Sequence, residues 1–313
     1  MGFSPMGEAS GSLDDLRRQI DEIDCMLHDL LVRRCELVLR IGALKDAANG
    51  AVGGPPNRVR VHYRPAREAI MLRQLVARHR GAMPKASLVR IWQEIIAASL
   101  QMEAPLAIAV YLPDAERAGW WDLARGNFGG ITRLVGHGTM QQVLGAVIDG
   151  EASIGVLPMP EPGAVDHWWR LLMTADTKMP RIVARLPFGA PGAERGKPVE
   201  ALVVGRIQPE ETGRDRSLVA VETRGEISRA TLTAAFRAEG LQAAFMVSGL
   251  PAGERGHYLH LLELPLFLAG ADGRLARIAE KLGRDLQQVW LLGGYAEPLS
   301  AAELGLPQPA RRS

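Results

Sequence analysis

An apolar stripe near the start of the chain constrains its fold more than any other feature. Leu13, Leu16, Ile20, Ile23, Leu27 and Leu30, then Leu37, Ile41 and Leu44, recur at spacings of three and four with one gap. That rhythm is the seam of helices packed nearly parallel. Ser12 with Asp15 forms a capping-box start, and Asn49-Gly50 supplies a stop. A helix from Ser12 to about Ala48 would extend roughly 50 Å, whereas a domain of about a hundred residues has a radius of gyration near 13 Å. A single small domain cannot cover such a rod, so the expected cover is a second copy of the chain.

A stretch rich in Gly and Pro follows from Asn49 to Asn57, and Pro65 suits the first turn of a second helix running to about Arg80. Gly81 to Pro84 breaks the chain before a third helix, Ser87 to about Glu103, with Leu88, Ile91, Trp92, Ile95, Ile96 and Leu100 as its apolar side. Residues 1–104 are therefore expected to be an all-α three-helix domain. From 105 to 209 the pattern is α/β, with buried strands expected at Leu106 to Leu112 and Ser153 to Met159. From 210 to 313 the order is strand Ser217 to Thr223, helix Ser228 to Glu239, strand Leu241 to Ser248, strand His257 to Leu264, helix Asp272 to Leu282 and strand Leu286 to Leu292. This βαββαβ order is the ferredoxin-like split unit, so the chain reads as multidomain.

Composition removes several classes of function. Lys and Arg number 37 against 35 Asp and Glu, so no overall basic field exists to hold nucleic acid or an anionic membrane. Cys25 and Cys35 lack metal-ligand spacing, which fits two packed thiols in a reducing cytosol, with neither disulfide nor metal expected. No secretory leader is read in Met1 to Gly11, and the apolar run Leu259 to Ala271 is broken by Glu263 and Pro265. A cytoplasmic protein without a membrane span is expected.

The chemistry enters where the stripe is interrupted. Arg34 occupies the slot between Leu30 and Leu37 where the repeat asks for an apolar residue, and a charge there needs an anion. Lys45, eleven residues on, falls about 20° around the helix and three turns along it, on the same side. Arg17 is rotated by roughly 100° and lies some 25 Å away on the same rod, so it reaches such a site only across a dimer interface. The alternative is that Arg34 snorkels to solvent and pairs with Glu36 or Asp29. Arg67-Glu68 lie in the first turn after Pro65, and Ser99 and Glu103 sit one turn apart on helix three, interrupting an apolar stretch.

The segments Leu16-Arg17-Arg18-Gln19-Ile20-Asp21-Glu22-Ile23-Asp24, Leu30-Leu31-Val32-Arg33-Arg34, Ile41-Gly42-Ala43-Leu44-Lys45 and Tyr63-Arg64-Pro65-Ala66-Arg67-Glu68-Ala69 resemble the all-helical chorismate mutases. The likeness is greatest to the mutase halves of proteins that also carry prephenate dehydratase, and it covers residues 12 to 103. It implies an intertwined homodimer in which Arg34, Lys45, Arg67, Glu68, Ser99 and Glu103 of one chain meet Arg17 of the other around chorismate, with no cofactor. Arginines would grip the two carboxylates, Glu68 the ring hydroxyl, and Ser99 would support a carboxylate. Lys45 and Glu103 would face the breaking ether oxygen. Many members of that family have glutamine where Glu103 stands, and a glutamate donates only when protonated. Arg64 also departs from the acidic residue found there in some members.

The second half resembles a prephenate dehydratase region followed by an ACT-type regulatory domain ending in Leu292-Gly293-Gly294-Tyr295, but the family's motifs are absent. Pro113-Asp114-Ala115-Glu116-Arg117 and Pro160-Glu161-Pro162 replace two of its loops, and Val199-Glu200-Ala201 stands where the catalytic threonine belongs. Without that hydroxyl a dehydratase is not expected. Trp120-Trp121 and Trp168-Trp169 read as core before they read as ligand pocket. His257 and His260 fall on opposite faces of one strand, which argues against a shared metal.

Overall fold

The computed structural model describes residues 12–48, 62–104, 106–114, 116–164, 166–176, 178–189, 199–225, 227–251, 256–270 and 272–307. The Asn49-Gly50 stop and the Gly/Pro-rich stretch to Asn57 lie outside these residues. Two compact units are present, one holding the first helix and the other everything from residue 55 onward.

The first unit is helix α1, Leu13–Ala48. Its start is the expected capping box: the Asp15 amide donates to Ser12 Oγ at 3.2 Å and the Ser12 amide to Asp15 Oδ2 at 3.2 Å. All nine residues of the apolar stripe are between 43% and 71% exposed.

The second unit opens with α2, Pro65–Arg78, and α3, Lys85–Glu103. There follow β1 (Ala107–Tyr111), α4 (Arg117–Phe128), β2 (Arg133–His137), α5 (Met140–Asp149) and β3 (Ile154–Pro158). A 3₁₀ turn at Trp168–Leu172 precedes β4 (Arg181–Leu186) and β5 (Ala201–Gly205). Next come β6 (Asp215–Arg224), α6 (Arg229–Arg237), β7 (Phe245–Pro251), β8 (His257–Leu264), α7 (Gly273–Leu282), β9 (Leu286–Ala296) and a short α8 (Ala301–Leu304). The strands form one mixed sheet in the order β2-β1-β3-β5-β4-β9-β6-β8-β7. β1 runs parallel to both β2 and β3, while β5 is antiparallel to β3 and β4.

The order β9-β6-β8-β7, antiparallel throughout, is the sheet of the βαββαβ unit expected from the sequence. It joins the other five strands through β4 and β9, where Ile182 pairs with Gly293 in parallel register. Gly293 has φ +133°, and a Cβ there would overlap the backbone of Ile182, so the junction requires glycine. Trp120, Trp168 and Trp169 are buried and belong to the core, as the sequence suggested. His257 Nδ1 pairs with Glu222 at 3.0 Å, and His260 Nε2 lies 3.2 Å from Thr223 Oγ1. Burial pushes the His260 imidazole down to about 4, so it is a neutral core residue at physiological pH.

α2 and α3 share a core with the far end of the chain. Leu72 and Val76 of α2, Val89 and Ile96 of α3, and Leu299 and Leu304 after β9 form one buried cluster, with Phe188 against it. Arg73 of α2 donates to Thr212 Oγ1 at 2.9 Å and to the carbonyls of Arg214 and Glu297, each at 2.7 Å. Arg64, just before α2, grips Glu210 through both carboxylate oxygens at 2.8 and 3.0 Å. This packing corrects the face expected for α3. Ile91 is 44% exposed, whereas Gln93 and Ser99 are buried, because the helix turns the edge carrying Val89, Gln93 and Ile96 toward its neighbours.

Candidate active site

Arg17, Arg34 and Lys45 lie on α1, while Arg67, Glu68, Ser99 and Glu103 lie in the second unit. Arg17 is exposed and bonded to Asp14 at 3.3 Å, one turn back on its own helix. Arg34 is partly buried, unlike the exposed apolar residues of the stripe it interrupts. The side chain of Lys45 lies outside what is described.

Arg67 and Glu68, adjacent on α2, meet different surroundings because consecutive helical side chains diverge by about 100°. Arg67 is exposed. Glu68 lines a small cavity with Tyr63, Gln93, Asn127, Arg185 and Phe188, where burial pushes its carboxyl up to about 8. Tyr63, packed edge-on against Phe128 at 5.8 Å between ring centres, has its phenol raised by the same burial and by Glu68.

The sign of the Glu68 shift fixes a stability prediction. A folded-state carboxyl raised from 4.5 to about 8 contributes stability that is complete below pH 4.5. The contribution is lost progressively as pH rises, fully so beyond about 8. Glu68→Gln keeps the amide neutral throughout, so its urea midpoint should hold between pH 5 and 9 while the wild type declines by roughly 3 kcal/mol, allowing for partial exposure. Parallel declines in the two proteins would remove Glu68 as the cause.

Ser99, buried on α3, donates its hydroxyl to the carbonyl of Ile95 at 2.7 Å. One turn on, Glu103 Oε2 lies 3.0 Å from Nδ1 of His62, and the two side chains are only 11% and 10% exposed. Sequence reasoning missed His62. A lone histidine three residues before a helix carries no periodic signal, and its partner is 41 positions away. Among the described residues no cluster of His, Cys, Asp and Glu could hold a metal ion, and no helix is long and apolar enough to cross a membrane.

Residues 16–104, which span all three helices, match the family model for chorismate mutase type II. The chain carries a chorismate mutase type II domain. Similar curated proteins include bifunctional chorismate mutase/prephenate dehydratases from Stutzerimonas stutzeri, 28% identical over 164 residues, and Aquifex aeolicus, 28% identical over 173 residues. These alignments cover 52% and 53% of this chain but 43% and 44% of those proteins, so the chain spans less than half the length of the curated relatives it matches. Among solved structures, the prephenate dehydratase from Arthrobacter aurescens in complex with L-Phe aligns at a TM-score of 0.45 and 15% identity, covering 62% of this chain and 92% of that one. A protein described as a quorum quenching acylase, GqqA, aligns at 0.43 and 15%, covering 63% and 96%. The mutase domain holds every site residue named from the sequence, and the strands β1 to β9 all follow it.

Proposed function

We propose that the protein is a chorismate mutase acting as an intertwined homodimer in the cytoplasm, with Arg17 supplied in trans. The observation that carries this reading is the family match over residues 16–104, which includes every cation and carboxylate singled out in the sequence. The exposed stripe on α1 supports the dimer, because nine large apolar side chains left to water form a surface that a second copy would bury. The homology limits we propose are 1–104 for the mutase, 105–209 for the dehydratase-like region and 210–313 for an ACT-type domain.

In this reading the substrate's two carboxylates are clamped by Arg17 of one chain and by Arg34 and Arg67 of the other, with Ser99 in support. Glu68 holds the ring hydroxyl. The clamp selects the conformer in which the two ends of the rearranging system approach. The rearrangement is unimolecular, with no nucleophile and no required proton transfer, so holding that geometry and neutralising charge at the breaking ether oxygen account for the rate. Lys45 and Glu103 supply the two contacts to that oxygen, Glu103 as the neutral acid.

A second reading, a bifunctional mutase and dehydratase, is favoured by the names of the relatives. Against it, Val199 stands in a buried position just before β5 and offers no hydroxyl where that family places its catalytic threonine. Purified protein should consume chorismate with saturation kinetics and should leave prephenate at its spontaneous rate of loss at neutral pH. Absent turnover of chorismate by folded dimer would overturn the first reading, and saturable dehydration of prephenate would establish the second.

A further inference from the structure

We infer that the wedge between β4 and β9 is a binding site for a small aryl carboxylate, an organic acid with one flat ring and no amine. The register between the two strands is a single pair, Ile182 with Gly293. β4 begins one residue before that pair, at Arg181, whereas β9 begins well before it, at Leu286, and lies along β6 on its other side. The space beside this overhang is a cavity of about 340 Å³, walled by Val289, Trp290 and Leu291 of β9, by Arg181, and by residues 267–270 after β8. Ligand pockets run from roughly 300 to 1,000 Å³, so the cavity is of a size for a single-ring molecule. It is separate from the small cavity that Glu68 lines.

The wall specifies the chemistry of the ligand. Among the described residues that line the cavity, Arg181 alone is charged. Its Nη1 donates to the Leu291 carbonyl at 2.8 Å, which holds the half-buried guanidinium against the edge of β9. A guanidinium carries five N–H donors in a rigid fork, so one anchoring bond leaves it able to hold a carboxylate as well. Trp290 and Phe267, both half-buried, and the buried Leu268 supply apolar walls, and aromatic side chains of this kind favour an offset or edge-on ring. Gln208 and Thr174 add neutral polar groups. With one cation and no carboxylate among these described residues, the ammonium of an amino acid would enter without a charged partner. An acid lacking the amine meets no such cost.

The probe is 3-phenylpropionate, titrated calorimetrically into the full chain at neutral pH. Saturable binding of one molecule per chain is expected, with a Kd below about 1 mM. Propionate lacks the ring, 3-phenylpropan-1-ol lacks the charge and L-phenylalanine adds an ammonium, and each should bind at least about tenfold more weakly. Arg181→Met removes the cation, while Ala269→Trp fills the cavity from an exposed position and leaves Arg181 in place. Each variant should weaken binding of 3-phenylpropionate at least about tenfold, with circular dichroism and melting temperature showing that the fold is kept. Should Arg181→Met fail to fold, Ala269→Trp decides alone. In ¹⁵N-labelled protein, the indole signal that is lost in Trp290→Phe should shift during the titration. Absence of saturable binding would overturn the inference. So would affinity kept to within about threefold in folded Arg181→Met or in Ala269→Trp, equal binding of L-phenylalanine, or a Trp290 signal that does not move.

Discussion

Replacing Arg34 by alanine should lower kcat/KM for chorismate on the order of a thousandfold, with Lys45→Ala falling as far, because in the proposed site each removes a charge-assisted contact to the substrate. Arg34 is suited to this role by its cost elsewhere. It occupies an apolar slot of α1 and is partly buried, and a guanidinium so placed is tolerated only where an anion or a hydrogen-bond partner compensates it. The measurement is steady-state chorismate consumption by each variant, with the dimer confirmed by sedimentation. Activity within tenfold of the wild type in either variant would remove that residue from the site.

Mixing two inactive proteins should restore activity. In the proposed dimer, Arg17→Ala lacks the arginine given to the partner, and Arg34→Ala lacks the one retained. After subunit exchange about half of the dimers are mixed, and one of their two sites combines both native arginines, so recovery should approach about a quarter of the wild-type rate. The geometric argument comes from α1 alone, since Arg17 and Arg34 are separated by some 25 Å along one straight rod. Exchange demonstrated by mass spectrometry without any return of activity would show that Arg17 does not act across the dimer.

The parts of the fold that were legible are those whose signal is local. Ser12 and Asp15 announce the start of α1 and form the reciprocal bonds that such a pair makes. The strand from His257 to Leu264 and the helix ending at Leu282 were placed within a residue of their observed limits, because alternation in one and helical period in the other are both bounded by turn residues. What was not legible depends on distant chain. Ile91 scores as core on any hydrophobic count, yet α3 buries Gln93 and Ser99 instead, since the surface it packs on includes segments two hundred residues further along. His62 illustrates the same limit, since its contact with Glu103 is one that no spacing within the sequence can encode.

The buried cluster that joins Leu72, Val76, Val89 and Ile96 to Leu299 and Leu304 bears on why the second half of the chain exists. A segment ending at Ala104 would contain the whole family match but would expose that cluster, and Arg73 would lose its three acceptors. Burial of such side chains is worth about 1.5–3 kcal/mol each, comparable in sum to the stability of an ordinary domain. Homology and folding therefore have different boundaries in this molecule. The dehydratase-like and ferredoxin-like strands serve as ballast that keeps two helices of the mutase in place.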